Sequence, residues 1–444
     1  MKSRFRKLTT LTLSTVLSFS VLAGCGSSEQ SAATPAETKE GTNPQAPVEL
    51  TFWTMWDGGD VAVAKSIFDE YNQEHPNVKI SFQQQDFNQY YTKLKTSILG
   101  GTGPDFAVSH VGGFITGMQA DGNLLPLDEA AAKYKVDLQF DKYTPSVMET
   151  GKVGGKYYTV PLDNLVRVLM YNKKLLKDTS LLDSNGNLKL DKGYDAFMKA
   201  LQEAKEKNNN TPPLSLTMRP PQIVLGWMTL YYQMGGKTFI DLASKKANFD
   251  EQIALKALNA YKEIYDKYVP PKIAPPADFD LFKSGKIPFY IDGAWMVSSS
   301  AQALGPDFGV AQFPQLFEQD AHVVTNHGFI LPVKKNRTDA QTKAVLEFIK
   351  WWADNNWKWS QAGHLPGYEP TRDTEGFKKL EYQKFYQDTT KGAVPIPVIP
   401  NANLHQAPEV TGPIQKAMLG DLSTQEAIQQ VKKNLDELLP KLAN

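Results

Sequence analysis

Apolar and polar residues alternate from Val48 to Trp56, which predicts a β-strand at the start of the folded body. The next segment carries apolar residues at the three- and four-residue spacing of a helix and stops near Pro76. A second strand and a second helix follow in the same way before the apolar run Phe106–Val108. This order predicts a β-α-β-α-β unit with parallel strands, whose ligands bind at the carboxyl ends of those strands.

Strand and helix patterns continue through the remainder of the chain. A strand-like run at 156–161 leads into an apolar run at 166–171, so we expect the chain to leave one sheet there and to enter another. A further strand at 287–291 precedes Asp292-Gly293-Ala294-Trp295. The closing third is helical, and two of its helix starts have the spacing of a capping box: Thr338 with Gln341, and Ser423 with Glu426.

The composition is that of a folded globular protein. Hydrophobic residues make up 41% of the 444 residues, which is enough to build sizeable cores and excludes a disordered chain. At about 100–200 residues per domain, the length predicts more than one folded unit. Lys plus Arg and Asp plus Glu both number 48, so there is no basic surplus that would attract the chain to nucleic acid.

The N-terminus has the features of a bacterial export signal. Basic residues from Lys2 to Lys7 precede an uncharged stretch from Leu8 to Ala23, which is short for a membrane span. The stretch ends at Leu22-Ala23-Gly24-Cys25, which resembles the lipobox in which a lipid is attached to the cysteine. Because Cys25 is the only cysteine in the chain, disulfides and thiolate sites are excluded and lipidation is its predicted role.

These features predict a lipid-anchored protein on the extracytoplasmic face of the cell membrane. We interpret residues 1–24 as a lipoprotein signal peptide. Residues 25–47 contain almost no large apolar side chain and read as a flexible tether. The folded body begins near Val48, and no later segment offers 18 uninterrupted apolar residues for a membrane span.

The common catalytic and cofactor motifs are absent from the sequence. It contains no phosphate-binding loop, no dinucleotide fingerprint, no H-E-x-x-H and no G-x-S-x-G. The six histidines include no pair at i, i+4 spacing, so neither a metal site nor a cofactor is predicted. The stretch 183–187 has its glycine at the fourth position rather than the sixth that a calcium loop needs, and a hairpin turn is predicted there instead.

Several segments, taken in order, resemble the extracellular solute-binding proteins of family 1, which serve ABC sugar importers. The resemblance covers nearly the whole body and is to the maltodextrin-binding type. Its segments are the lipobox, Leu50–Trp53, Asn72–Pro76, Gly103–Asp105, Phe282–Lys286, Asp292–Trp295, His327–Phe329, Ala344–Trp352 and Ser423–Ala427.

The resemblance implies an α/β, two-lobed, periplasmic-binding-protein-like (type II) fold with a ligand cleft between the lobes. Each lobe would be a mainly parallel sheet flanked by helices. Lobe one would hold residues 48–160 and 325–367, and lobe two residues 161–324 and 368–444. The implied function is capture of an oligosaccharide by hinge closure and its delivery to ABC transporter permease subunits, by a monomer that performs no catalysis.

The same resemblance, carried over by position, implies a ligand site built from both lobes. Trp and Asp or Asn side chains suit a sugar, because its C–H face stacks on an indole and its hydroxyls both donate and accept hydrogen bonds. The implied site residues are Trp56, Asp57, Asp86, His110, Asp163, Asn164, Trp227, Asp292, Trp295 and His327.

Other interpretations of these residues stay open at this point. Asp57 could cap the helix that follows it, and Trp227 could belong to the core. A secreted carbohydrate-active hydrolase would need two carboxylates roughly 5–9.5 Å apart, which Asp57, Asp86, Asp163 and Asp292 could supply. A binder of a polyamine, an iron chelate or a peptide is the third possibility.

Overall fold

The computed structural model describes residues 46–87, 89–271, 273, 275–399 and 402–442. The predicted signal peptide, Cys25 and most of the predicted tether lie outside these residues. Residues from Ala46 onward form one compact unit. Within the described residues, no helix combines the length and the apolar character that crossing a membrane requires.

Short and long strands alternate with helices along the described chain. The strands are β1 (Val48–Thr54), β2 (Val78–Gln84), β3 (Phe106–His110), β4 (Lys152–Val153), β5 (Lys156–Tyr157), β6 (Val160–Pro161), β7 (Asp163–Asn164), β8 (Arg167–Asn172), β9 (Leu214–Leu216), β10 (Ile240–Asp241), β11 (Lys246–Ala247), β12 (Phe289–Gly293), β13 (Phe308–Gln312), β14 (His322–Val324), β15 (His327–Ile330), β16 (Leu365–Pro366), β17 (Ala393–Pro395), β18 (Val398–Ile399) and β19 (Ala402–Asn403).

The helices cover the faces of the sheets. They are α1 (Gly58–Glu74), α2 (Tyr90–Leu99), α3 (Gly113–Ala120), α4 (Leu127–Tyr134), α5 (Pro145–Met148), α6 (Lys173–Leu176), α7 (Tyr194–Lys207), α8 (Pro220–Gln233), α9 (Glu251–Tyr268), α10 (Ala277–Lys283), α11 (Val297–Leu304), α12 (Asp339–Asp354), α13 (Glu375–Lys378), α14 (Pro408–Leu419) and α15 (Thr424–Leu442).

The first sheet has the strand order β2-β1-β3-β15-β6. The strands β2, β1 and β3 confirm the predicted β-α-β-α-β unit, because β1 pairs in parallel with both of the others. β15 comes from a distant part of the chain and runs antiparallel to β3 and β6. Since helices α1 and α2 return the chain across the sheet, the ends of β1, β2 and β3 meet at one edge, where the cavity described below opens.

The second sheet has the order β13-β8-β12-β9 and is mixed. β12 pairs in parallel with β9, but β8 runs antiparallel to both β12 and β13. The expectation of a mainly parallel sheet is therefore wrong for this half of the molecule. The direction of a strand depends on which end of the sheet the connecting segment reaches. The hydrophobic pattern within a strand is the same for either direction, so the sequence could not distinguish them.

Two large hydrophobic cores support the two sheets. The first is built on aromatic rings: Phe68 stacks on Phe52 at 4.6 Å and contacts Phe348 at 4.8 Å between ring centroids. The second surrounds α8 and contains Trp227, whose exposed fraction is 0%. The Trp227 indole donates to Ala254 O at 2.9 Å, so its burial leaves no polar atom unpaired.

Local signals in the sequence match the local structure. Thr338 and Gln341 form the predicted capping box at the start of α12. Ser423 and Glu426 exchange hydrogen bonds as well, at the start of α15. Asp183 accepts from the backbone N–H groups of two of the next four residues, and Leu182 pairs with Leu188, as expected of a hairpin turn.

Candidate functional site

A cavity of about 430 Å³ opens between the two sheets. Residues that follow β1, β2 and β3 form one wall, and the start of β15 belongs to the same wall. Residues near the start of β8, at the start of α8 and after β12 form the opposite wall. Its lining comprises Met55, Trp56, Asp57, Asp60, Phe87, His110, Leu165, Arg219, Pro221, Gln222, Trp295, Met296, Thr325, His327, His364, His405 and Gln406.

The structure brings five of the ten predicted site residues together at this cavity. They come from three segments of the first sheet and one of the second, so no local pattern could have joined them. Trp56 and Asp57 follow β1 directly, and Asp57 makes no side-chain cap hydrogen bond to α1. The five are Trp56, Asp57, His110, Trp295 and His327.

Trp295 lies against the backbone of Gly293. A Cβ atom built on Gly293 would come within 2.0 Å of the Trp295 ring, so only glycine leaves room for the indole there. The side chain is partly buried and lines the cavity. Trp56 also borders the cavity, but it is only 3% exposed and packs on Trp359 at 4.6 Å between ring centroids.

His110 ends β3 and is held by Tyr91. The Tyr91 hydroxyl lies 2.7 Å from His110 Nδ1 and accepts the His110 backbone N–H at 2.9 Å. The Tyr91 ring stacks on Phe114 at 3.7 Å, with 2° between the planes, which fixes the hydroxyl. Burial, followed by the nearby His327 and His405, holds the pKa of His110 well below its usual value, so the ring is neutral at pH 7.

Asp163 lies behind the cavity and joins separate parts of the chain. Its carboxylate accepts the His327 backbone N–H at 2.7 Å, the His327 Nδ1–H at 2.9 Å and the Trp359 indole N–H at 2.8 Å. Burial by itself would raise the pKa of Asp163, but the interactions with His327 and His364 outweigh it and the pKa lies below its usual value. We call Asp163, His327, Trp359 and His364 the crossover cluster.

The crossover cluster sits where the chain passes between the two sheets. β7 connects β6 of the first sheet with β8 of the second, and it pairs with β16. Leu165 bridges to Thr325, which connects β14 with β15. Asp163 in β7 therefore joins the start of β15 and the segment before β16 through its hydrogen bonds.

His364 is a cavity residue that the sequence did not reveal. It is fully buried, its Nε2 lies 3.0 Å from Asp60 Oδ1, and its Nδ1 lies 3.9 Å from Asp163 Oδ2. Burial would lower the pKa of His364, but the carboxylates of Asp60 and Asp163 outweigh it and raise the pKa. No motif marks this residue, because its two carboxylate partners lie about 200 and 300 positions away.

The other predicted site residues do not line the cavity. Trp227 was wrongly assigned to the site, since its indole lies wholly in the second core. Asn164 is fully buried, and its amide donates to Pro366 O at 3.1 Å. Asp292 accepts the Tyr290 hydroxyl at 2.7 Å and its neighbour's backbone N–H, and burial raises its pKa.

Asp86 does not line the cavity either, although the next residue in the chain does. Its side chain is exposed and accepts the Gln89 backbone N–H at 3.1 Å, whereas the adjacent Phe87 lines the cavity. Phe87 is 52% exposed and its ring centroid lies 6.2 Å from that of His110. An apolar residue in a polar loop was the available signal in the sequence.

The remaining lining residues come from segments that the sequence did not connect with the site. Arg219 immediately precedes α8, and Gln222 lies in its first turn. His405 and Gln406 belong to a 3-10 turn before α14. Trp56 Nε1, His405 Nδ1 and Gln406 Oε1 are buried and have no hydrogen-bond partner among the described residues.

The cavity combines apolar rings with hydrogen-bonding groups, as small-molecule sites usually do. Within the described residues, no group of three His, Asp or Glu side chains is arranged to hold a metal ion. The arrangement suits a ligand with an apolar face and a polar rim.

Residues 57–359 match the family model described as bacterial extracellular solute-binding protein. The maltotriose-binding protein of Pyrococcus abyssi is 23% identical over 313 residues, which cover 69% of this chain and 63% of that protein. The diacetylchitobiose binding protein DasA of Streptomyces coelicolor is 25% identical over 262 residues, which cover 58% and 57%. The chain thus spans less than two thirds of the length of either relative.

Solved structures with the same architecture cover nearly the whole body. The GacH receptor of Streptomyces glaucescens, solved unliganded and with acarbose, superposes with a TM-score of 0.72 at 19% identity over 90% of this chain and 99% of that chain. The sugar-binding protein MalE of Xanthomonas citri superposes with a TM-score of 0.71 at 20% identity over 89% and 98%. At these identities the similarity establishes the fold, which confirms the predicted two-lobed type II architecture.

Proposed function

Since this chain belongs to the bacterial extracellular solute-binding protein family, we propose that it is the substrate-binding protein of an ABC importer. It captures a sugar in the cavity between the sheets and delivers it to permease subunits. The observation that carries the proposal is the cavity itself, whose lining combines indole and imidazole rings with carboxylate, amide and hydroxyl groups from segments of both sheets. Relatives that bind maltotriose and diacetylchitobiose support an oligosaccharide as the ligand.

The mechanism that we propose is closure of the two sheets around the sugar. A ligand that touches both walls binds the closed arrangement better than an open one and so shifts the population toward it. The crossover cluster supports this proposal, because its hydrogen bonds join the segments about which the two halves would turn. The permease would then recognise the closed form.

The proposed function involves no bond cleavage. Two carboxylates line the cavity, Asp57 and Asp60, and Asp60 Oδ1 is already bonded to His364 Nε2 at 3.0 Å. The Asp163 carboxylate accepts hydrogen bonds from three N–H donors. The Asp292 carboxylate accepts from the Tyr290 hydroxyl and the Gly293 backbone N–H. A retaining or inverting hydrolase needs two carboxylates that reach the same glycosidic bond.

We also propose that a lipid on Cys25 holds the protein at the extracytoplasmic face of the membrane, as a monomer. The lipobox-like Leu22-Ala23-Gly24 and the uniqueness of Cys25 support this. Changing Cys25 to Ala should release the protein from the membrane fraction. A variant that stays membrane-bound at full precursor length would contradict lipidation.

Thermal unfolding in the presence of sugars tests the proposed function. The purified protein is heated with maltose, maltotriose or N,N′-diacetylchitobiose, and spermidine serves as the non-sugar probe. A ligand at 100 times its Kd stabilises the protein by about 2.7 kcal/mol, which is a readily measured shift. Stabilisation by spermidine and by none of the sugars would contradict the proposal.

Prolonged incubation separates binding from hydrolysis. Any sugar that stabilises the protein is kept with it for days and then examined by chromatography. We expect the sugar to be recovered intact. Its breakdown, abolished by Asp57→Asn, would show a hydrolase instead.

A further inference from the structure

His110 and His327 stand opposite each other on neighbouring strands of the first sheet. The antiparallel register of β3 and β15 pairs the two residues directly, and their ring centroids lie 4.8 Å apart. Both side chains line the cavity. Each ring uses Nδ1 for a hydrogen bond in the cavity wall, and Nε2 of each ring has no hydrogen-bond partner among the described residues.

The hydrogen bonds of Tyr91 determine where His110 carries its proton. The Tyr91 oxygen accepts the His110 backbone N–H and also interacts with the Ser109 side chain, and we take His110 Nδ1, at 2.7 Å, as the acceptor of the Tyr91 proton. Nδ1 is then an acceptor, and a neutral imidazole must carry its proton on Nε2. The lowered pKa of His110 is consistent with the neutral ring. His110 thus offers the cavity an N–H donor.

Asp163 determines the opposite tautomer for His327. An ionised carboxylate only accepts hydrogen bonds, and Asp163 Oδ2 lies 2.9 Å from His327 Nδ1, so Nδ1 carries the proton. The adjacent backbone N–H of His327 donates to the other oxygen of the same carboxylate, which holds the ring in place. In the neutral ring Nε2 is then an acceptor. His327 thus offers the cavity a lone pair beside the donor of His110.

We propose that His110 and His327 form a matched donor and acceptor pair that selects a hydroxyl group, and thereby restricts the cavity to uncharged, hydroxyl-rich ligands. This inference rests on the proposed sugar-binding function and adds the chemical group that the site requires. A hydroxyl accepts from His110 and donates to His327, either through one oxygen or through two neighbouring ones.

The pair discriminates against other polar groups. A carbonyl or carboxylate oxygen only accepts, so it satisfies His110 and leaves the His327 acceptor unpaired. An ammonium group only donates, so it satisfies His327 and opposes the His110 N–H. An unpaired partner in a desolvated site lowers affinity by roughly 5- to 100-fold. Tyr91 and Asp163 are positioning residues, because they act through the two rings.

Nitrogen-15 NMR of the histidine rings tests the tautomers in the unliganded protein. Long-range spectra at pH 7 distinguish a proton on Nδ1, a proton on Nε2 and a doubly protonated ring. We expect the Nε2–H form for His110 and the Nδ1–H form for His327. In Tyr91→Phe, His110 should lose this strict preference. A wild-type His110 that is charged, or that carries its proton on Nδ1, would overturn the inference.

Two asparagine variants remove each cavity group and keep the hydrogen bond behind it. In His110→Asn the amide oxygen can still accept from Tyr91, and in His327→Asn the amide N–H can still donate to Asp163. Calorimetry is carried out with whichever of maltose, maltotriose and diacetylchitobiose binds the wild type. The affinity for that sugar should be roughly 5- to 100-fold lower in each variant. His75→Asn is the matched control, because His75 ends α1 and lies outside the cavity lining.

The outcomes separate this inference from the proposed function. A sugar that binds wild type, His110→Asn and His327→Asn with equal affinity overturns the donor and acceptor pair and leaves sugar binding standing. Spermidine or citrate binding as tightly as the best sugar overturns the restriction to hydroxyls. Failure of all three sugars to bind wild type overturns the proposed function and this inference with it. Thermal midpoints of both variants confirm that folded protein was titrated.

Discussion

Replacing Asp163 with Asn should destabilise the protein substantially. Three N–H donors converge on the Asp163 carboxylate, from the His327 backbone, the His327 ring and the Trp359 indole. An amide group has one oxygen and one NH₂, so at least one buried donor must face another donor. That orphaned donor costs about 1–3 kcal/mol.

Loss of the negative charge adds to this cost. The two hydrogen bonds that remain are no longer charge-assisted, and neutral bonds are weaker by about 0.5–1 kcal/mol each. The expected loss in free energy of unfolding for Asp163→Asn is therefore about 2–5 kcal/mol at neutral pH. Equilibrium urea denaturation, followed by tryptophan fluorescence, measures it directly.

The pH dependence gives the prediction a sign. The pKa of Asp163 is lowered in the folded state, so its contribution to stability is present above its ordinary pKa of 3.8 and is lost as the pH falls through the folded value. The difference between wild type and Asp163→Asn should therefore shrink below pH 3.8. It should also decrease as the pH rises through the raised folded pKa of His364, because Asp163 contributes to that increase in pKa.

Asp292→Asn is the matched control. Asp292 is equally buried, but its pKa is raised by burial, so ionisation already opposes folding there and a neutral amide should cost less than half as much. Two results would refute the stabilising role that we assign to the hydrogen bonds of Asp163. One is an equal loss of unfolding free energy in the two variants, and the other is an unchanged urea midpoint for Asp163→Asn at pH 7.

Three further changes test the assignments of single residues. Trp295→Ala should weaken sugar affinity by about 1–3 kcal/mol in calorimetry with little change in stability, because its indole lies at the cavity wall. Trp227→Ala should instead cost about 3–5 kcal/mol of stability in urea denaturation, because that indole is fully buried in the core. Burial lowers the pKa of His405 from 6.5 to about 3. Between these pH values the unfolded chain binds a proton at His405 and the folded protein does not, so stability falls as the pH drops below 6.5. His405→Gln should remove about 2 kcal/mol of the loss between pH 7 and 5.

Each of these predictions has a clear contrary result. Trp351→Ala is the control for Trp295, since Trp351 is also partly buried but bonds Glu74 outside the cavity lining. Equal affinity losses in the two variants would remove Trp295 from the site. A Trp227→Ala protein of unchanged stability would contradict its core position. An equal loss of stability between pH 7 and 5 in wild type and in His405→Gln would show that burial does not lower the pKa of His405.

Local sequence patterns determined most of the individual elements. The alternation at Val48–Thr54 and the helical spacing of α1 predicted those elements, because one buried face imposes its period on the residues that form it. The capping boxes at Thr338 and Ser423 were equally local, since both partners lie within one turn. Trp56 and His110 could be predicted as site residues because Trp56 lies just after β1 and His110 ends β3, and the carboxyl ends of these strands share one edge.

Only the tertiary structure decided what surrounds each side chain. A buried tryptophan and a cavity tryptophan have the same local sequence character, so the sequence could not show that Trp227 lies in the core while Trp295 lines the cavity. Asp163 was predicted to touch ligand, yet its partners His327 and Trp359 lie 164 and 196 positions away and consume its oxygens. Burial, strand direction and hydrogen-bond partnership are set by contacts between distant segments, and those contacts exist only after the chain has folded.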